Sequence, residues 1–221
     1  MIIKSCFWNI GGKIGLWPRM DVQHTSSELS SMMRRRMTPL GRQAIELFYA
    51  SIAGQNQNIP WVVSCRHGDI TRRQRLLESL ANNEMLSPTD FSMSVHNALL
   101  GVFSIATANK QMHTAIAGGN ESFELGLLEA YALQKTQGGT VGYMYYDSVE
   151  SQDNEKTDVC FSLLLDDSQS PGIEINYLSA GNTIEEKKID LVNLLVNYLD
   201  NDEKRYSMHI AGGQILLARD N

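Results

Sequence analysis

The chain of 221 residues is 43% hydrophobic and 20% charged, with a formal net charge of −6. This length and composition predict one globular domain over residues 1–221 and argue against a disordered, collagen-like or coiled-coil chain. Because net negative charge repels phosphate backbones, we expect no nucleic-acid partner. The N-terminus lacks a signal-peptide pattern, and no run of about 18 apolar residues predicts a membrane span. Three widely spaced cysteines fit a reducing compartment, so we expect a cytoplasmic protein.

In the first part of the chain, the apolar spacing predicts an alternation of helices and strands. Residues 21–37, rich in Ser and Met, are expected to be irregular, whereas residues 41–53 repeat at helical spacing. The apolar run at 61–65 follows a proline and predicts a buried strand. Thr71 and Gln74 form a capping box that predicts a helix toward Asn82.

The remaining elements are predicted by the same two periodicities. The expected helices lie at 91–108, with little exposed face, at 122–133, and from a second capping box at Thr183 and Glu186 to Leu199. The expected strands lie at 113–117, 141–146, 159–165, 173–178 and 215–218, with a loop at 148–156. This alternation favours a layered α/β domain with a mixed sheet.

Two segments carry a resemblance to a known family. Residues 87–101 read Ser-Pro-Thr-Asp-Phe-Ser-Met-Ser-Val-His-Asn-Ala-Leu-Leu-Gly, and residues 113–122 read His-Thr-Ala-Ile-Ala-Gly-Gly-Asn-Glu-Ser. This series resembles the β-ketoacyl synthases, in which a turn precedes a helix opening on Asn-x-x-Ala-Gly and a strand then ends in a tight turn before another helix. Leu100 replaces the usual Ala of that motif. The resemblance implies a thiolase-like layered α/β fold, mainly the N-terminal half of a ketosynthase with a reduced C-terminal part.

The chain departs from the ketosynthases at the catalytic positions. Ketosynthases place a nucleophilic cysteine at the strand-to-helix turn, where the helix N-terminus lowers the pKa of the thiol. Here Gly119 or Asn120 occupies that position, and the nearby Ser122 is expected to pack or cap rather than react. After Ala130 the sole histidine is His209, outside any ketosynthase histidine motif. The resemblance therefore implies no catalytic residue, no metal and no cofactor in this chain.

Some ketosynthases pair an active subunit with an inactive one, the chain length factor, which shapes the acyl tunnel. The resemblance implies a truncated subunit of this kind, as found in bacterial aryl polyene gene clusters, in a heterodimer with an active ketosynthase. The residues expected at the tunnel or the interface are Phe91, Met93, Val95, His96, Asn97, His113, Thr114, Ala115 and Ile116.

Two arginine-rich segments stand out in this acidic chain. They either form a solvated face or provide a docking surface for an acyl carrier protein, since carrier proteins are acidic. The residues concerned are Arg34, Arg35, Arg36, Arg66, Arg72, Arg73 and Arg75.

Two alternative functions stay open at this point. Cys65 and His67 are two residues apart near a strand end, where they could share a face and serve a small thiol-dependent acyltransferase or hydrolase. The other alternative is a homodimeric acyl-binding module without a ketosynthase partner. His96 and His113 have no partner at metal-ligand spacing, so both are expected to be structural histidines.

Overall fold

The computed structural model describes residues 1–18, 29–54, 56–150, 156–167, 172–179, 191–201, 204–210 and 213–219. The predicted capping box at Thr183 and Glu186 lies outside these residues, as do positions 19–28. Within the segment expected to be irregular, residues 31–35 form a short helix.

The strands of the described residues form one mixed nine-stranded sheet. They are β1 Ile2–Ile10, β2 Lys13–Trp17, β3 Trp61–Ser64, β4 His113–Ile116, β5 Val141–Glu150, β6 Lys156–Asp166, β7 Ile173–Ser179, β8 Arg205–Ile210 and β9 Gly213–Arg219. Their order is β4-β3-β5-β6-β1-β7-β9-β8, with β2 beside β1. Strand β3 pairs in parallel with β4 and β5, the other pairs are antiparallel, and β4 lies at an edge.

Helices cover both faces of this sheet. They are α1 Ser31–Arg35, α2 Pro39–Ser51, α3 Ile70–Ala81, α4 Pro88–Ser92, α5 Ala98–Ala106, α6 Ser122–Gln137 and α7 Leu191–Asp200. Because strand side chains alternate between faces, Tyr143 of β5 packs in the core with α6 and α7, whereas Met144 packs with α2 and α5. The predicted layered α/β architecture with a mixed sheet is confirmed.

The single helix predicted over residues 91–108 is wrong, because residues 93–97 separate α4 from α5. In a continuous helix, the carbonyl of His96 would accept from the backbone N–H four residues later. It accepts instead from the hydroxyl of Tyr146, at 3.3 Å. The hydroxyl of Ser94 also donates to the carbonyl of Phe91, at 2.8 Å. Such a local side-chain bond competes with the backbone bonds of a helix. The expectation of little exposed face is wrong too, since Ile105 is 72% exposed.

Other departures concern the ends of elements. Helix α3 begins at Ile70, capped by the side chain of Asp69 rather than by the predicted Thr71. Residues 148–150, predicted to lie in a loop at 148–156, continue β5 instead and pair with the start of β6. Strands β1, β2 and β8 were not predicted.

Close packing of α6 holds the segment that follows β4. A Cβ atom at Gly126 would lie 2.5 Å from the hydroxyl oxygen of Ser64, so only glycine lets α6 sit this close to β3. The hydroxyl of Tyr143 donates to the carbonyl of Phe123 at 2.6 Å and accepts from Ser64 at 2.8 Å. These contacts fix the first turn of α6 against β3 and β5.

Candidate functional site

The candidate site lies where the parallel strands β3, β4 and β5 end together. Ligand sites of α/β sheets form at the carboxyl ends of such strands. The backbone N–H of Cys65, just after β3, donates to the carbonyl of Ile116 at 3.2 Å, so the ends of β3 and β4 stay in register. Tyr146 and Asp147 of β5 are buried beside them.

The turn after β4 is closed by the hydroxyl of Ser122. This hydroxyl donates to the carbonyl of Gly119 at 2.8 Å and accepts from the backbone N–H of Gly118 at 3.0 Å, and the residue is only 1% exposed. Gly119 has a φ of +61°, in the left-handed region that glycine adopts readily. Gly119 and Asn120 are exposed at the tip of this turn. At the position where the resemblance implies a nucleophilic cysteine, the chain therefore exposes neither a thiol nor a hydroxyl group.

The expected tunnel residues of the α4–α5 segment differ in exposure. Phe91 is 63% exposed and Val95 is 49% exposed, and Asn97 is exposed just before α5. Met93 is half-buried and lines a cavity of about 10 Å³ with Leu99 and Tyr146, which is room for about one water molecule.

The other expected interface residues, His113, Thr114, Ala115 and Ile116, form the edge strand β4. The carbonyls of Met112 and Ile116 accept from β3, and successive residues of a strand point their backbone groups to opposite sides. The N–H and C=O of Ala115 therefore point away from β3, toward the open edge. His113 is half-buried, and burial lowers the pKa of its imidazole.

Cys65 is hydrogen-bonded to His96 rather than to His67, the residue that the acyltransferase or hydrolase alternative places beside it. The sulfur of Cys65 lies 2.8 Å from Nδ1 of His96, and Cys65 is fully buried. The hydroxyl of Tyr146 is also close to the sulfur. Both residues stand out in the sequence but their pairing does not, because they lie 31 positions apart and no spacing rule connects them.

The electrostatics of this pair favour its neutral form. Burial, and secondarily the carboxylate of Asp147, raise the pKa of the Cys65 thiol to about 11, although the nearby hydroxyl of Tyr146 opposes them. Burial and the nearby Arg73 lower the pKa of His96. The thiol therefore stays protonated near neutral pH, and it can donate its hydrogen to Nδ1 when the imidazole proton is on Nε2.

The arginines of the predicted carrier-protein surface are separated by the fold. Arg72 is buried and is no docking residue, because its guanidinium is bonded to Asp69, Asp90 and the carbonyl of Arg36. Arg34 pairs with Glu46 at 2.7 Å, whereas Arg66 and Arg73 are exposed. We define the arginine cleft as the open cleft of about 570 Å³ that includes the exposed Arg35, Arg36 and Arg75 together with Asp90.

Within the described residues, no three His, Cys, Asp or Glu side chains gather as ligands for a metal ion. Among the described helices, none has the length and apolar character to cross a membrane.

Comparison with known proteins identifies a family. Residues 8–186 match the family model described as "Beta-ketoacyl synthase, N-terminal domain". No curated protein sequence matches the chain.

The chain also resembles solved structures of ketosynthase complexes. The ketosynthase ApeO in complex with its chain length factor ApeC, from Xenorhabdus doucetiae, aligns with a TM-score of 0.72 and 21% identity over 99% of this chain and 100% of that chain. The ishigamide ketosynthase/chain length factor aligns with a TM-score of 0.54 and 14% identity over 73% of this chain, and the match spans 54% of that chain. The expected thiolase-like ketosynthase fold is confirmed.

Arg72 connects α3 with α4 and with the end of α1, so its replacement should destabilise the fold. We expect Arg72→Gln to lower the free energy of unfolding by about 3–5 kcal/mol, because Asp69 and Asp90 then keep their charges without their buried partner. The exposed neighbour Arg73 is the matched control, and Arg73→Gln should change this free energy by less than about 0.5 kcal/mol. Urea unfolding of both variants measures the difference; equal stabilities would contradict the assigned role of Arg72.

Proposed function

The chain belongs to the family of β-ketoacyl synthase N-terminal domains, and from this premise we propose that it is a non-catalytic, chain-length-factor-like partner of an active β-ketoacyl-[acyl carrier protein] synthase. The partner supplies the nucleophile and the histidines, and this chain completes the acyl tunnel and helps to set product length. The pathway is fatty-acid-like or aryl polyene biosynthesis in the cytoplasm, and this chain contributes no cofactor.

The observation that carries the proposal is the turn after β4. Condensation by a ketosynthase begins with a cysteine thiolate that accepts the acyl group at this turn. In this chain the position is taken by Gly119 or Asn120, and the only adjacent hydroxyl, that of Ser122, is buried in two hydrogen bonds that close the turn. The likeness to the ApeO and ApeC complex, which extends over 100% of the matched chain, supports a subunit of this size and kind.

The open edge of β4 supports a protein partner. An unpaired strand edge presents free backbone donors and acceptors, which favour pairing with a second chain. An exposed apolar side chain precedes that edge in sequence, since Met112, just before β4, is 46% exposed. Under the proposal, β4 pairs with the ketosynthase, and residues 91–97 face its tunnel.

The alternative functions have less support. A Cys65 acyltransferase or hydrolase requires a thiolate, whereas burial raises the pKa of this thiol to about 11. Its hydrogen-bond partner is His96 rather than His67, and Cys65 is fully buried. A homodimeric acyl-binding module uses the same open edge of β4 and is distinguished by its size in solution when the chain is expressed alone.

We include an acyl carrier protein as a second partner, docked at the arginine cleft. Arg35 and Arg36 at the end of α1 and Arg75 on α3 place three exposed positive charges around one opening, which suits an acidic protein surface. Arg72 is the structural support of this cleft, because its buried guanidinium holds Asp90 and the backbone of Arg36.

Pairing through β4 makes a direct prediction for the complex. Ala115→Pro removes an N–H that points toward the open edge and leaves the β3–β4 hydrogen bonds in place, so the chain should fold yet lose its ketosynthase. On co-expression with an active β-ketoacyl synthase, we expect at least tenfold less co-purified partner for Ala115→Pro than for the wild-type chain. Ala115→Ser keeps the N–H and is the control. Full retention of the ketosynthase by a folded Ala115→Pro chain would exclude pairing through this edge.

The proposed absence of chemistry is tested at Asn120. Replacing Asn120 with Ala should leave the condensation rate of the complex within about twofold of the wild-type rate, because the partner forms the acyl thioester. A complex whose ketosynthase lacks its own nucleophilic cysteine sets the zero level. Loss of turnover in a well-folded Asn120→Ala complex would falsify the non-catalytic role.

The arginine cleft should give a salt-dependent contribution to carrier binding. The double change Arg35→Glu and Arg75→Glu should weaken carrier binding severalfold at low ionic strength, and the difference should shrink above about 0.15 M salt because exposed charges are then screened. The double change Lys13→Glu and Lys110→Glu, at two exposed cations that do not line the cleft, is the charge-matched control. Binding to the assembled complex is measured by titration calorimetry; unchanged affinity at low salt argues for a docking site elsewhere.

A further inference from the structure

The hydrogen bond between Cys65 and His96 has no part in the proposed chemistry, although it lies beside the residues expected to shape the tunnel. It connects the end of β3 to the segment between α4 and α5, with 2.8 Å between the sulfur and Nδ1. The sulfur is fully buried and packs in the core with α2 and α5. A polar bond at this depth restrains the segment, because breaking it leaves a buried donor unsatisfied.

A second bond holds the backbone of the same residue. The hydroxyl of Tyr146, on β5, donates to the carbonyl of His96 at 3.3 Å. The backbone of Gly68, with a φ of +61°, lies against the imidazole, so that a Cβ atom there would be 3.4 Å from Nδ1. His96 is therefore held at two points. Its side chain is bonded to Cys65, which follows β3, and its carbonyl is bonded to Tyr146, which belongs to β5.

The residues beside His96 are those with the expected tunnel role. Met93 lines the small cavity with Leu99 and Tyr146, and Val95 is 49% exposed on the outer side of the segment. Tyr146 thus contributes both to the cavity and to the bond that holds His96. A shift of the His96 backbone would move Met93 and Val95, because the intervening residues 94–96 lie between the two helices, outside their regular hydrogen bonds.

We propose that Cys65 and His96 act as positioning residues, forming a latch that holds residues 93–97 against the sheet and so determines where Met93 and Val95 meet the acyl chain. The inference rests on the proposed function, since it assigns the latch a role in product length. The thiol transfers no acyl group in this role. It donates a hydrogen bond to a neutral imidazole whose remaining proton is on Nε2.

The latch is tested first in the full chain without its partner, independently of any activity. Nitrogen NMR of the imidazole should identify Nδ1 of His96 as a hydrogen-bond acceptor in the wild-type chain. Cys65→Val should shift that resonance and speed amide exchange at residues 93–97 at least tenfold. Cys160→Val is the matched control, because Cys160 is equally buried in the same core and bonds no histidine among the described residues. A protonated Nδ1 in the wild-type chain, or unchanged exchange in Cys65→Val, overturns the latch.

The functional test uses the complex with the ketosynthase. Cys65→Val should shift or broaden the distribution of product lengths while co-purification and the total condensation rate stay within about twofold of wild type. Cys65→Ser, which keeps a donor toward Nδ1, should restore the wild-type distribution, and Cys160→Val should preserve it.

Met93→Ala separates the latch from the proposed function. If Met93→Ala changes product length and Cys65→Val does not, the latch is wrong and the tunnel role stands. If neither variant changes product length, the tunnel role itself fails, and the latch as a determinant of product length fails with it.

Discussion

Strand β3 is buried on both faces and hydrogen-bonded in parallel on both edges, and the candidate site depends on this placement. All four of its residues are fully buried. Trp61 packs against Phe48 and Phe103 at ring distances of 4.8 and 5.6 Å, and Val62 faces the opposite core. Because the strand cannot move without opening both cores, Cys65 at its end is a fixed point from which the neighbouring segments are held.

Patterns that depend on local spacing allowed much of this fold to be predicted. Strands β3, β4 and β6 follow from short apolar runs, and helices α2 and α6 follow from apolar residues at helical spacing. The break between α4 and α5 could not be predicted in this way. The apolar spacing suits a continuous helix, and the bond from Tyr146 to the carbonyl of His96 joins positions 50 apart in the chain.

The candidate site shows the same limit on inference from sequence. Its residue types were recognised, because Cys65, His96 and the arginine segments stand out in composition, but their partners were not. Arg72 was counted among surface cations, whereas two carboxylates and a carbonyl from separate segments surround its guanidinium. Cys65 was assigned a neighbour in sequence, whereas its bond reaches a residue 31 positions away. Long-range pairing of polar groups leaves no periodic signal in a single sequence.

The environment of Cys65 suits this thiol to positioning better than to nucleophilic catalysis. A nucleophilic cysteine needs a polar or positive environment and access for its substrate, so that its pKa falls and the thiolate forms. Cys65 has the opposite environment, since its fully buried sulfur has its pKa raised to about 11 by desolvation, with the carboxylate of Asp147 acting in the same direction. Making it reactive would mean opening the contacts that hold His96 and residues 93–97. Under the proposed function, a subunit that carries out no chemistry can keep those contacts intact. Its buried polar groups can then maintain the shape of a surface that a partner enzyme uses.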